Sequence, residues 1–477
     1  MSSTEDAVRR IGTCPGYLVT LVLAVASFSS PTSAEETVIV DARKRLQTFE
    51  GWGTSLCWWA DRVGDWPDDK LDPLLKLVTD SEEGLGYTIF RYNIGGGDAP
   101  GHAHMRAGAA VPGYRPTENG PYDWSADARQ RRVLNKLLAQ TDGAILEAFA
   151  LSAPYWMTRS GCSAGAADGS SNLEDEYYDD FADYLTEVVK HFRDEWGIKF
   201  RTLEPMNEPN ADWWKAETPQ EGCHYGVAEQ ERLIQEIAKH MRRKGLTGTA
   251  VSAPDTNSLD TCVDNLKVYG PATIEALGQI NAHSYYGERR RELRDLARRH
   301  QKRFWQSESG PLFFKGDALA TQLFMAERIV RDIRDMQVVA WVDWQFMAGL
   351  NWGCTDWLKK PHTFRINKKL YVYAQFTRFI RPGDKVLALD TPHLLAAVSE
   401  KHHRLVLVVV NSGDAARSYR VEVKGLVGHR HDAGAYRTSE DEDCVRLPTL
   451  VFEGDTLRLE AKPRSVTTLS VFEEKPE

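Results

Sequence analysis

The chain has 477 residues, 42% of them hydrophobic and 27% charged, which is too long for one small core and ordinary for a globular protein. A net charge of −9 argues against a nucleic-acid partner, which calls for a basic stripe. The 14 tryptophans exceed ordinary usage; most are expected in core packing, and some in a surface that stacks on flat ligands such as sugar rings.

The first 34 residues read as a secretory signal. Arg9 and Arg10 precede an apolar run from Tyr17 to Phe28, and small residues suited to cleavage follow as far as Ala34. The run is short for a membrane span, so a secreted, extracellular protein without stable membrane association is expected. Cys14 falls in this segment. The six remaining cysteines permit disulfides, and their spacing marks no zinc site.

Residues 35–46, around "TVIVDARKRLQ", read as a strand that could pair into a later sheet. From 47 to 382, eight short apolar segments alternate with helical ones: "FEGWGTSL", "YTIFRYNIGG", "AILEAFALSAP", "FRTLEPMNEP", "TAVSAPDTN", "QINAHSYYG", "RFWQSESG" and "VVAWVDWQF". Between two of them, Phe181, Tyr184, Leu185, Val188, Val189 and Phe192 share one helical stripe. Leu233, Ile234, Ile237 and Met241 share another, closed by basic residues and Gly245. The basic run at 288–303 alternates acids with bases at helical spacing, as a solvated helix face does. Eight strand–helix repeats predict an α/β fold, a closed (β/α)8 TIM barrel. From 383 to 477 the chain alternates by twos between turn clusters, as in "RLVLVVVNS" and "TLRLEA". This is the pattern of a C-terminal antiparallel β-sandwich, and the early strand could join it.

Most strand segments end in polar or aromatic residues: Arg91 and Asn93, Trp156, Asn207 and Glu208, Asp255, His283 and Tyr285, Glu308, Trp344. In such barrels that end carries chemistry. Glu208 ends the fourth segment and Glu308 the seventh, so both can reach one mouth. Two facing carboxylates serve glycoside hydrolysis: one protonates the leaving oxygen, the other attacks the anomeric carbon. Tyr285 could hold Glu308 ionised, and Asn207 could hold a sugar 2-hydroxyl. Glu204, four residues before Glu208, is expected lower inside the barrel as a structural polar residue. A carboxyl separation of about 5–5.5 Å is expected for retention of configuration.

The motifs "QTFEGWGTSLCWWA", "RYNIGGGD", "APYWM", "EPMNEPN", "AHSYYG", "WQSESG" and "QFTRFIRPG" together resemble glycoside hydrolase family 30. The resemblance spans nearly the whole chain after residue 34. It implies a retaining barrel hydrolase with a side β-sandwich and no metal or organic cofactor. By that resemblance Glu208 is the acid/base and Glu308 the nucleophile. Asp98, Trp156, Asn207, Tyr285 and Trp344 line the subsite of the reacting sugar, and Arg91 braces the nucleophile. The sequence is most similar to the endo-β-1,6-galactanase branch, which acts on arabinogalactan side chains; β-1,6-glucanase, xylanase and glucosylceramidase are the alternatives. A polysaccharide or oligosaccharide substrate and a monomeric enzyme are the corresponding expectations.

Overall fold

In the computed structural model, residues 35–312, 316–350, 352–426 and 432–472 are described; the expected signal at 1–34 lies outside them. Two strands, β1 (Glu36–Asp41) and β2 (Arg45–Thr48), precede the barrel. Eight more then close in parallel: β3 (Gly51–Ser55), β4 (Ile89–Asn93), β5 (Ile145–Phe149), β6 (Thr202–Glu204), β7 (Ala250–Ser258), β8 (Leu277–Tyr286), β9 (Arg303–Ser309) and β10 (Ala340–Asp343). Each of the eight falls on one of the eight expected segments, with β7 running one residue past its segment and β8 starting two before its own, and β10 pairs back onto β3. Closure brings strands very close at Gly53, where a Cβ would sit 2.4 Å from the Ile89 carbonyl oxygen. Only glycine fits there.

The two helices read from the sequence form at Tyr178–Asp194 and Val227–Arg243, and each buries its expected stripe. Glu229 fixes the start of the second by accepting the Gly226 N–H at 2.6 Å. The basic run contains a helix, Arg290–Arg299, that is only partly solvated as expected. Arg290 is buried and paired with the fully buried Asp332 at 2.9 Å. A hairpin of β11 (Thr355–Trp357) and β12 (Phe364–Ile366) follows β10.

The remaining strands are β13 (Lys385–Leu387), β14 (Leu394–Ser399), β15 (Arg404–Asn411), β16 (Arg417–Lys424), β17 (Asp432–Thr438), β18 (Val445–Arg446), β19 (Leu450–Val451), β20 (Thr456–Ala461) and β21 (Ser465–Phe472). They form two sheets. The larger runs β18-β17-β21-β15-β14-β13-β2, with β19 on β17, and the smaller runs β1-β16-β20. Two N-terminal strands therefore enter the sandwich, one in each sheet, where a single one was expected. β1 pairs in parallel with β16, so the sandwich is not wholly antiparallel. A strand arriving from far away in sequence needs no hairpin and is free to pair in either direction.

β15 buries both faces. Leu405, Leu407 and Val409 point into the sandwich, while Val406, Val408 and Val410 join the core cluster of the barrel. Burying each valine stabilises by roughly 1.5–3 kcal/mol relative to exposure. Along that face barrel and sandwich share one core, and both lie in one compact unit. The six described cysteines are all free thiols, so the disulfides that the sequence permitted do not form among the described residues.

Candidate active site

β6 stops at Glu204 because Pro205 and Pro209 cannot donate to a ladder. Between them the chain bends so that Glu208 takes φ +47°. That left-handed region costs a residue with a side chain about 1–2 kcal/mol. The turn is held by two bonds. The Glu208 N–H donates to the Asp255 carbonyl at 2.9 Å, and the Trp214 indole donates to the Glu208 carbonyl at 3.1 Å. Asp255, in β7, is itself left-handed at φ +56°. Strain of this kind persists where surrounding structure over-determines the backbone, commonly at functional sites.

Glu308 comes from β9 and is 4% exposed. Tyr285 donates to its Oε1 at 3.0 Å, the contact expected from the sequence. Arg91 donates to its Oε2 at 3.3 Å, and also to Glu147 at 2.8 Å and Asp255 at 2.7 Å. His283 stands between the two glutamates. Its Nδ1 lies 3.1 Å from Glu208 Oε1 and 3.5 Å from Glu308 Oε1, and its Nε2 lies 3.1 Å from Asp255. Glu208 and Glu308 bring carboxylate oxygens within 4.8 Å of each other.

Burial disfavours the His283 cation, yet Asp255 and Glu308 outweigh it and carry the imidazole up to about 10. Burial likewise works against the Asp255 carboxylate, but Arg91 and His283 hold it well below the usual range. Burial pushes Glu308 up to about 7; His283 pulls it down, Glu208 pushes it up and Arg91 pulls it down. Two carboxyls this close share the consequence: the pair keeps one proton near neutrality. Tyr285 and Arg91 donate to Glu308 with the His283 cation 3.5 Å away, whereas Glu208 has His283 alone, so the shared charge is best accommodated on Glu308.

Beneath the mouth lies a hydrogen-bonded layer centred on Glu147. Glu147 accepts from Arg91, Thr202, Ser252, Gln279 and Asn281. Glu204 is fully buried and accepts from Asn281 at 2.8 Å, which places it inside the barrel as expected. Burial raises it well above the usual carboxylate range.

Above the pair opens a cavity of about 740 Å³, lined by Asn207, Glu208, Tyr285, Glu308 and Trp344 among others. Seven of the 14 tryptophans line it: Trp58, Trp59, Trp213, Trp214, Trp344, Trp352 and Trp357. Several of the seven also pack in the core, Trp59 wholly buried there, so core packing holds for most tryptophans as expected while half of them also face the cavity. Asn207 Oδ1 is buried without a protein partner, an open acceptor at the cavity wall.

Two of the expected subsite residues do not line this cavity. Trp156 gives its indole N–H to the Arg115 carbonyl, and its ring is held against Tyr177 and the Arg115 guanidinium. Asp98 is engaged by the Ala99 N–H at 2.8 Å, by His102 at 3.1 Å and by the Cys162 thiol at 3.8 Å. Both side chains are committed to the loops that carry them.

His283 and Asp255 stood among the polar strand ends but drew no role from sequence. His283 lies two residues before Tyr285 on β8, which was the available signal. Glu147 gave none, being an acid in an apolar run. Glu208, His283 and Glu308 cluster as metal ligands can, as do Asp98, His102 and Cys162. In the first cluster the imidazole is a cation, so a metal there would have to displace its proton.

A closed parallel barrel whose C-terminal mouth holds facing glutamates beneath a tryptophan-lined cavity has the architecture of a (β/α)8 glycoside hydrolase. The chain belongs to O-glycosyl hydrolase family 30, whose family model matches residues 35–301. It is 30% identical over 416 residues to an endo-beta-1,6-galactanase of Hypocrea rufa, covering 82% of this chain and 85% of the relative. It is 25% identical over 543 residues to an exo-beta-1,6-galactobiohydrolase of Bifidobacterium longum subsp. longum, covering 82% of this chain and 35% of that longer protein. The solved structure of a conserved exported protein from Bacteroides fragilis superposes with a TM-score of 0.78 at 21% identity, covering 91% of this chain and 100% of that one.

Proposed function

We propose that the protein is a secreted hydrolase that cleaves β-1,6-linked galactan, the side chains of arabinogalactan, with retention of configuration. The observation that carries the mechanism is that one oxygen of Glu208 and one of Glu308 lie within 4.8 Å of each other, 3.1 and 3.5 Å from the same His283 nitrogen. An inverting pair stands about 6.5–9.5 Å apart to admit a water between carboxylate and sugar. The galactan reading is supported by the 30% identical galactanase.

The steps follow from the donor set. Glu308, ionised under Tyr285, Arg91 and His283, attacks the anomeric carbon. Glu208 gives its proton to the bridging oxygen as that bond breaks, and a covalent glycosyl–enzyme forms. Glu208, now a carboxylate, takes a proton from water, which attacks the same carbon and frees Glu308. Asn207, with its open Oδ1, is positioned to accept from the sugar 2-hydroxyl.

Digestion of β-1,6-galactan and β-1,6-glucan side by side tests this reading. Galactan should be cut, and proton NMR should show the β-anomer first. Preferential cleavage of glucan would overturn the substrate, and a first-formed α-anomer would overturn the mechanism. Export rests on Arg9, Arg10 and the apolar run from Tyr17 to Phe28. Protein purified from the medium for this assay should begin at Glu35; a retained leader would exclude cleavage there.

A further inference from the structure

The loops after β4 and β5 bring a second set of ligating side chains together, outside the cavity above the glutamates. Asp98 and His102 come from the first loop and Cys162 from the second. Each offers one atom, and the three atoms lie within 4.8 Å of one another. His102 Nδ1 is 3.1 Å from Asp98 Oδ1, and the Cys162 sulfur is 3.8 Å from the same oxygen. None of the three lines the cavity. The two loops are also joined beside the cluster. Gly97, at φ +65°, turns the chain into Asp98, and its carbonyl accepts from the hydroxyl of Ser163, the neighbour of Cys162.

Ordinary protein contacts leave this cluster incomplete. Asp98 pairs with His102, and no lysine or arginine reaches it among the described residues. Its contacts from Ala99, His102 and Cys162 all fall on Oδ1, and Oδ2 takes no hydrogen bond among the described residues. Cys162 is 1% exposed, and two acceptors, Asp98 and the Ala216 carbonyl at 3.5 Å, compete for its one thiol hydrogen. The Ala164 N–H points at the same sulfur from 3.5 Å, as donors that steady a metal-bound thiolate do. Burial raises the thiol's pKa, the Ala164 N–H lowers it, and Asp98 and Glu221 raise it further. The charges acting on the sulfur are therefore negative, and a divalent cation would offset them.

A carboxylate, a neutral imidazole and a thiolate together make a zinc ligand set. A tetrahedral ion with bonds of about 2.0–2.3 Å sets its ligand atoms roughly 3.3–3.8 Å apart, close to the 3.1 and 3.8 Å between these groups. We propose that Asp98, His102 and Cys162 bind one zinc ion, which fastens the loop after β4 to the loop after β5. Its fourth position faces water beside His102, whose side chain is 39% exposed. Binding sends the thiol proton to water. The first loop also carries Arg106 and Ala107 to the cavity wall, so the ion steadies the rim of the mouth and takes no part in glycosidic cleavage.

The test uses untagged protein stripped with a chelator and dialysed against micromolar zinc. It should retain one zinc per chain, measured by elemental mass spectrometry, and should melt at a higher temperature than the stripped form. Cobalt in place of zinc should give the ultraviolet absorption of a cobalt–thiolate bond. Cys162→Ser should abolish that absorption and lower zinc affinity by at least about 100-fold, the upper range for loss of an outer-shell partner alone. His102→Ala, at a half-exposed side chain, should melt like the stripped parent and gain nothing from zinc. Glu308→Gln should retain zinc in full, which separates this cluster from the glutamate pair. A parent that retains no zinc, a cobalt–thiolate absorption that survives Cys162→Ser, a His102→Ala variant that zinc still stabilises, or zinc lost with Glu308→Gln would overturn the proposal.

Discussion

The layer beneath the barrel mouth and the layer at the mouth are built from the same kinds of residue and do opposite things. Below, Glu147 takes hydrogen bonds from five side chains and pairs with Arg91 at 2.8 Å. Above, Asn207 Oδ1 and the indoles of Trp58 and Trp357 are buried and unpartnered, and Glu208 holds a left-handed backbone. A buried carboxylate bonded like Glu147 fixes one geometry; open buried groups are costly unless a ligand completes them. The lower layer thus positions the upper, through Arg91, which touches Glu147, Asp255 and Glu308 together.

Breaking each layer should give opposite phenotypes. The largest effect is expected at the mouth. Glu308→Gln should lower kcat by at least about 10⁴-fold, as loss of a covalent nucleophile does, with melting temperature equal to or above the parent. It removes a buried carboxyl that burial and Glu208 both push towards neutrality. Retained turnover would sink the assignment of the nucleophile.

Glu147→Ala should act the other way. It leaves the Arg91 guanidinium buried against a hole, which costs about 3–5 kcal/mol. Urea unfolding should report that loss, and the scheme fails if stability is unchanged while activity alone falls.

The smallest effect sharpens the link between the layers. Glu308 lies at about 7 in the folded protein, so the pair holds its proton below that value and loses it above. Since the leaving oxygen needs that proton, kcat/KM should decline as pH rises through about 7. The His283 cation draws Glu308 downward, so His283→Gln should move the decline to higher pH. A pH profile that stays in place would show that His283 does not set the charge of the pair.

Much of this was legible in the chain. Periodicity located all eight barrel strands, since a buried parallel strand is an unbroken apolar run between turn signals. The strand ends placed Arg91, Glu208, Tyr285 and Glu308 at one mouth. The sequence was weaker wherever both faces of an element are buried. β15 reads "RLVLVVVN" with no alternation, because one face packs into the sandwich and the other onto the barrel. β16 alternates plainly, since one of its faces is largely open to water.

By itself the sequence determined the barrel, the sandwich and the two glutamates. These depend on local patterning and on prolines that end β6 where Glu208 must leave the ladder. Only the tertiary structure decided that His283 stands between the glutamates, that Glu147 anchors Arg91 from below, and that Trp156 and Asp98 turn to other partners. It also decided that β1 runs parallel to β16 and that Asp98, His102 and Cys162 meet in one cluster. Those outcomes turn on which side chains meet across strands distant in sequence. Burial and neighbouring charge, rather than residue type, then set what each group can do.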